Sequence, residues 1–397
     1  MKPNLPFYAS LRHLALAAVI AMIIPSCSKP KALTDIDVDT SSPLITDELT
    51  TEIRSGVLSD IVDSLKIVPL DEAHLVGNIK RIRHSNGMLY ILAEDQLLLF
   101  DDNGKFVKVI AVKGQGPEEV LDFCDYDVDS TGIIILDPVK FLFFDINGNP
   151  TKTIHNDFGY GRISLLPGGK GWVLKAVEPT ENNHTLIAFD NSGDTVFSAV
   201  EPYEFEFSWL HDLFHLNDSI LLNPVHPSGG NEIIALDIEQ QKGYVIPVTI
   251  TGDPMSAKDF EDAVRTVGKK TDVPKLSFWG FSDNQCQLFF SAFKSGKTYR
   301  YIYDKSTGYV LRICPEVEND LTVDLERGHV LGMIFRTSSD DDYFVTWMSD
   351  PQETYKQSNR LNPRFKPEYE KLATIDDDSN PVIAFIKFRK PNLTEEQ

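Results

Sequence analysis

Basic residues are few relative to acid. The chain has 38 Lys and Arg against 59 Asp and Glu, a net charge of −21 over 397 residues. So negative a protein repels phosphate backbones and has no general affinity for nucleic acid. Cysteine is sparse too, with four in all. Cys124, Cys286 and Cys314 stand in no CxxC spacing; each lies in an apolar, strand-like stretch (FCDYDVD, QCQLFF, LRICPEV) and reads as a small core residue, with one disulfide at most. The apolar run Leu14–Ile24 has eleven residues, too few to cross a bilayer as a helix. Aromatic residues are plentiful, with 24 Phe, 13 Tyr and 4 Trp, which excludes a disordered acidic tail.

The short apolar run has a different use. Lys2, Arg12 and His13 precede it, and Ile23-Ile24-Pro25-Ser26-Cys27 closes it, the order of a secretory signal. A cysteine directly after a small residue at this point resembles a bacterial lipobox. That resemblance implies a signal peptide over residues 1–26, acylation of Cys27 and a lipid bilayer as partner. Removing residues 1–26, which carry Lys2 and Arg12 and no acid, takes the net charge from −21 to −23. Residues 27–59 are rich in Ser, Thr, Asp and Pro and read as a flexible tether.

From about Asp60 the texture changes to short strands separated by Asn, Asp and Gly turns. A large apolar residue followed by Asp recurs at Phe100-Asp101, Phe144-Asp145, Phe189-Asp190, Leu236-Asp237 and Tyr303-Asp304. The first three spacings are 44, 45 and 47 residues and the fourth is 67. A period of roughly 40–50 residues with about four strands per unit predicts an all-β fold, a β-propeller. Asn86-Gly87 and Asn103-Gly104 predict tight hairpins in the first unit. The last unit, expected at Val330–Arg336, Tyr343–Met348 and Val382–Phe388, is one strand short, and the strand Ile61–Leu70 has no unit of its own. Pairing that N-terminal strand into the last blade closes a ring of six and removes its exposed edges. The propeller domain is then residues 60–390, with a C-terminal tail over 391–397.

Four segments carry a family likeness: Leu65–Leu70 with Leu75–Ile79, the first unit Gly87–Ile110, the loop Lys113-Gly114-Gln115-Gly116-Pro117-Glu118-Glu119, and the closing strand Asn380–Phe385. With the lipobox, they resemble the six-bladed β-propeller lipoproteins of Gram-negative bacteria, which are similar to NHL-repeat propellers. The resemblance implies a fold and an extracytoplasmic, membrane-anchored location, at the periplasmic or surface face of the outer membrane. It implies no reaction.

In a four-stranded unit the first–second and third–fourth turns share one end of the strands. Here these turns are short. The second–third turns and the links between units share the other end and hold the long segments, including Lys113–Leu121, Glu201–Ser208, Thr251–Lys275 and Pro351–Asn380. Ser256–Val267 and Pro363–Ala373 within them are expected to be helical. Long loops on one rim of a rigid ring are where binding residues gather. Lys113, Gln115, Glu118, Trp209, His211, His226 and Trp279 are the candidate ligand-binding residues.

The residues point to no catalytic constellation. His211 and His215 share a face, but the stretch WLHDLFHL is dominated by apolar packing, and no third metal ligand is in view. Asp145-Ile146-Asn147-Gly148-Asn149 lacks the remaining ligands of a calcium loop and reads as a turn. No metal or cofactor is expected. The sequence reads as a membrane-anchored module that binds a glycan, a peptide or a partner protein through its long-loop face. The alternative is a lyase or hydrolase working in the central channel.

Overall fold

Several strands are apolar along their whole length rather than at alternate positions. Gly132–Leu136 (GIIIL) is buried at every residue. A strand meets that environment only when its sheet is covered on both faces. Pro150–His155, by contrast, is almost entirely exposed and forms a sheet edge. Buried inner strands and exposed outer ones are what radial stacking of small sheets produces.

The computed structural model describes residues 31–32, 36–38, 49–116, 119–200, 212–224, 232–247, 277–294, 297–322, 337–348 and 350–390. Strands β1 (Lys31–Ala32), β2 (Ile36–Val38), β3 (Thr50–Ile53) and β4 (Val62–Pro69) come first. Five four-stranded antiparallel meanders follow in chain order. Meander I is β5 (Ile79–Ser85), β6 (Met88–Ala93), β7 (Gln96–Asp101) and β8 (Phe106–Val112). Meander II is β9 (Asp125–Asp129), β10 (Gly132–Leu136), β11 (Lys140–Phe144) and β12 (Pro150–His155). Meander III is β13 (Gly161–Leu166), β14 (Gly171–Ala176), β15 (Leu186–Phe189) and β16 (Thr195–Ala199). Meander IV is β17 (Phe214–His215), β18 (Ile220–Pro224), β19 (Glu232–Asp237) and β20 (Lys242–Pro247). Meander V is β21 (Ser277–Asp283), β22 (Gln287–Lys294), β23 (Lys297–Asp304) and β24 (Val310–Ile313).

The closing sheet, VI, takes strands from both ends of the chain. β25 (Thr337–Ser339) runs parallel to β21 and β5 and leads into β26 (Phe344–Trp347). β26 pairs with β27 (Val382–Phe388), and β27 pairs with β4 from Val382↔Pro69 to Phe388↔Val62. The orphan strand of the sequence therefore fills the gap expected for it. The expected strand Val330–Arg336 lies outside the described residues.

Six apolar clusters fill the spaces between neighbouring sheets, among the described residues. They join I with II, II with III, III with IV, IV with V, V with VI, and VI with I. The cycle of interfaces returns to its start, which is the β-propeller arrangement.

The recurring aspartate has a physical role. Asp101 accepts from the backbone N–H of Asn103 (2.9 Å) and Lys105 (3.0 Å). Asp145 does the same for Asn147 and Asn149, Asp190 for Ser192 and Asp194, and Asp304 for Ser306 and Thr307. Each carboxylate caps the turn between third and fourth strands, while the preceding Phe or Tyr is buried. At Asn86-Gly87 both residues have positive φ, as the sequence implies. At Asn103-Gly104 only the glycine does (φ 81°), so that turn is held by Asp101 rather than by two left-handed residues.

One expectation is corrected. The tether is not free along its length. β1 pairs parallel with β16, β2 with β20 and β3 with β24, and Leu58 and Ser59 are buried. Unpaired outer edges attract any extended segment, and the Ser- and Thr-rich N-terminal chain supplies one. The segment Pro363–Ala373, expected to be helical, forms three consecutive short helical pieces, a 3-10 helix over Pro363–Phe365, an α-helix over Lys366–Tyr369 and a 3-10 helix over Glu370–Leu372. A separate helix, α1 (Pro351–Lys356), precedes them, capped by the Asp350 carboxylate on the Glu353 N–H at 2.8 Å. The expected helix Ser256–Val267 lies outside the described residues. No helix among the described residues is long and apolar enough to cross a membrane.

Candidate functional site

The innermost strands carry charge where an apolar core is the default. Arg81 on β5 is buried between Asp125, which it pairs with closely, and Asp212 at 3.2 Å. Burial alone would lower the Arg81 guanidinium; the two carboxylates more than reverse this and hold it charged. Asp125 also accepts from the Ile163 N–H at 3.0 Å, and Asp127 accepts from the Leu165 N–H at 2.8 Å. Arg83 reaches Asp127 at 3.0 Å, and Arg162 reaches Asp212 at 3.4 Å and the Cys124 carbonyl at 3.0 Å. These ties run from meander to meander, I to II, II to III and III to Asp212 beside β17. The charges are therefore spent on joining strands. Near them, burial pushes the Lys175 amine down to about 7, with Asp212 opposing the fall and Arg162 adding to it.

The thiols and imidazoles are similarly committed. Burial pushes the Cys124 thiol up to about 12, and burial with Glu52 pushes Cys314 up to about 11, far from thiolate chemistry at neutral pH. All three described cysteines are free. His215 Nε2 lies 3.0 Å from Ser164 Oγ, and burial lowers its affinity for a proton. His184 Nδ1 lies 2.9 Å from Ser198 Oγ. Among the described residues, no three metal-ligating side chains converge.

The long-connection end of the strands carries a cavity of about 660 Å³. It lies where the link into β5 meets the end of β26 and the insertion 350–381. Trp347, half-buried, forms one wall; Asn78, Gln352, Glu353, Asp376 and Asp377 supply polar groups. One buried amide braces it. Asn380 accepts from the Val76 N–H at 2.8 Å and donates to the carbonyls of Asp71 (2.6 Å) and His74 (2.7 Å), tying the insertion to the link. Leu75, Leu121, Val139 and Tyr160 are exposed large apolar side chains on connections at this same end, as is Val112 at the end of β8, with Leu75 73% exposed. A second cavity of about 660 Å³ lies at the short-turn end of meanders IV and V, walled by Asn217, Asp218, Cys286, Lys305 and Ser306. There Lys305 is held by Asp283 at 3.1 Å and the Asn284 carbonyl at 2.8 Å.

A family model described as Domain of unknown function (DUF4934) matches residues 44–387. The chain belongs to that family. No curated protein matches it. Among solved structures, a putative exported protein from Bacteroides fragilis is 18% identical, with a TM-score of 0.64 over 86% of this chain and 99% of that one. The WD40 domain of Neurospora crassa Pan2 is 13% identical, with a TM-score of 0.40 over 65% of this chain and 76% of that one. The first of these shares the fold.

Of the residues singled out in the sequence, Lys113, Gln115 and Trp279 fall within the described part of this DUF4934 fold. Lys113 and Gln115 are exposed on the I–II link. Lys113 lies 3.2 Å from Asp122 and 3.6 Å from Asp95, and the loop folds on itself through Gly116 N–H to Glu119 at 2.7 Å. Trp279 falls on β21, opposite Ser291. Glu118, Trp209, His211 and His226 lie outside the described residues. The sequence placed Pro351–Asn380 on this rim but singled out no residue of the cavity wall, although the signal was present: Trp347 ends a strand and opens the longest described insertion, and Asn380 precedes the closing one. Also missed were Lys66, Lys108 and Lys152. Each sits on an outermost strand and donates to a carbonyl in the next sheet's aspartate turn, of Asp102, Gly148 and Asn191 respectively.

Proposed function

We propose that this DUF4934 protein is a lipid-anchored, extracytoplasmic six-bladed propeller that binds a glycan, a peptide or a partner protein through its long-connection face. One observation carries the reading: the cavity beside Trp347 lies at that face, next to the link that bears the exposed Leu75. The half-buried indole packs on the apolar cluster between VI and I and borders a cavity that carboxylates and amides also line, the composition of a small polar-ligand site. The charges of the innermost strands favour the binding reading over channel catalysis, because they are engaged in ties between sheets. Acylation of Cys27 supplies the membrane attachment.

Glycan and peptide arrays probed with the mature chain test this. Trp347→Ala is expected to weaken binding of the best array ligand by tenfold or more, about 1.4 kcal/mol or above; because the indole also packs on the apolar cluster between VI and I, the thermal midpoint is expected to fall as well, and binding is compared at a temperature where both proteins are folded. Alanine at Lys113, Gln115, Trp209 or Trp279 tests the wider rim in the same assay. Binding that survives all five substitutions removes the long-connection face as the site.

A further inference from the structure

The described parts of the segment between Cys27 and the ring lie on outer sheet edges. Lys31–Ala32 pairs with Phe197–Ser198 on meander III, Ile36–Val38 with Gly243–Val245 on IV, and Thr50–Ile53 with Val310–Ile313 on V. Every pairing is parallel, and the three sheets are visited in their order around the ring. The chain then enters β4 and closes sheet VI. A free tether from Cys27 to Leu58 would let the ring roam about 100 Å from its attachment point. Pairing at Lys31 leaves four residues of slack, so Cys27 lies within about 14 Å of the outer edge of meander III.

The sheets form a cycle of six interfaces, and III stands across it from VI. The cavity lies between VI and I. We propose that this N-terminal girdle fixes the ring's posture on the membrane: meander III sits next to the bilayer, and the Trp347 cavity is presented on the side farthest from it. The proposal rests on the acylation of Cys27 given above. It adds a defined attachment point on the circumference of the ring, in place of a flexible leash.

The test uses the full mature lipoprotein in vesicles of phosphatidylethanolamine and phosphatidylglycerol with an acceptor dye on a headgroup. A donor is attached through an azide-bearing residue placed at Ser192, in the exposed turn of meander III, or at Asp378, in the exposed cavity insertion. Transfer from position 192 is expected to exceed that from 378 by roughly twofold, and inserting about 20 Gly and Ser residues between Ser28 and Lys29 is expected to equalise them. Equal transfer in the unmodified chain, or stronger transfer from 378, overturns the posture while leaving the anchor intact. A mature mass without acyl chains, together with no transfer from either position, overturns the anchoring and the posture with it.

Discussion

Arg81 shows what single residues do in this ring. It joins β5 to Asp125 on the next meander and to Asp212 beside β17, three meanders along, all three side chains being buried. Removing one member of a buried ion network strands the others without compensation. Arg81→Ala is expected to lower stability by about 3–5 kcal/mol in urea unfolding, whereas Lys113→Ala, an exposed pair, is expected to change it by less than about 1 kcal/mol. Part of this residue-level order was legible. The repeated Phe-Asp dyad marked the turns, because an aspartate that caps a backbone must sit at a fixed place in every repeat. The charges of the innermost strands were not recognised, although Asp125–Asp129 (DYDVD) alternates polar and apolar residues and Ile79–Ser85 (IKRIRHS), bulged between Ile79 and Arg81, is dense in charge. Alternation says which residues share a side, not that the polar side faces other strands instead of water.

At the scale of elements, the outermost edges decide how the N-terminal chain is held. Glu52 on β3 pairs with Arg312 on β24 at 3.1 Å, accepts from Arg54 at 2.8 Å and lies 3.1 Å from Cys314 Sγ. These contacts, Arg54 foremost, lower its carboxyl to about 2. A depressed carboxyl stabilises the pairing at pH values above its unfolded value of 4.5 and ceases to do so as pH falls through about 2. Hydrogen exchange at Thr50–Ile53 is expected to be protected at neutral pH and to lose protection, relative to Leu97–Phe100, between pH 4.5 and pH 2. In Glu52→Gln the same amides are expected to lack that pH step. This strand was read as tether because it has no apolar periodicity: four residues such as Thr50–Ile53 pair through their backbone, which composition does not encode. The strands expected at Ile61–Leu70, Tyr343–Met348 and Val382–Phe388 were legible to within about one residue because burial leaves long apolar runs.

For the whole molecule, closure is the decisive contact. β4 and β27 are more than 300 residues apart in sequence and pair along their full length. Gly104, at φ 81°, packs so closely on the end of β4 that an added Cβ would lie 2.3 Å from the Pro69 carbonyl oxygen. A chain beginning at residue 49 retains this closure and is expected to melt in one cooperative transition. A chain beginning at residue 71 leaves both β27 and the first meander uncovered, and is expected to melt in a broadened, lower transition or to aggregate. Calorimetry of the two truncations separates these outcomes. The ring was legible from the period alone, since repeated meanders without a partner fold must cover one another. The cavity was not, because its walls come from a connection that follows no repeat.

The far-apart origin of β4 and β27 also sets a clock on biosynthesis. β4 leaves the ribosome early and its partner is among the last strands made, so at 5–20 residues per second the first strand waits roughly 15–60 s for its mate. Throughout that interval the growing polypeptide shows a bare backbone ladder to everything around it. A protein built this way needs either an escort or a compartment where its open form meets few competitors, until the last forty residues arrive.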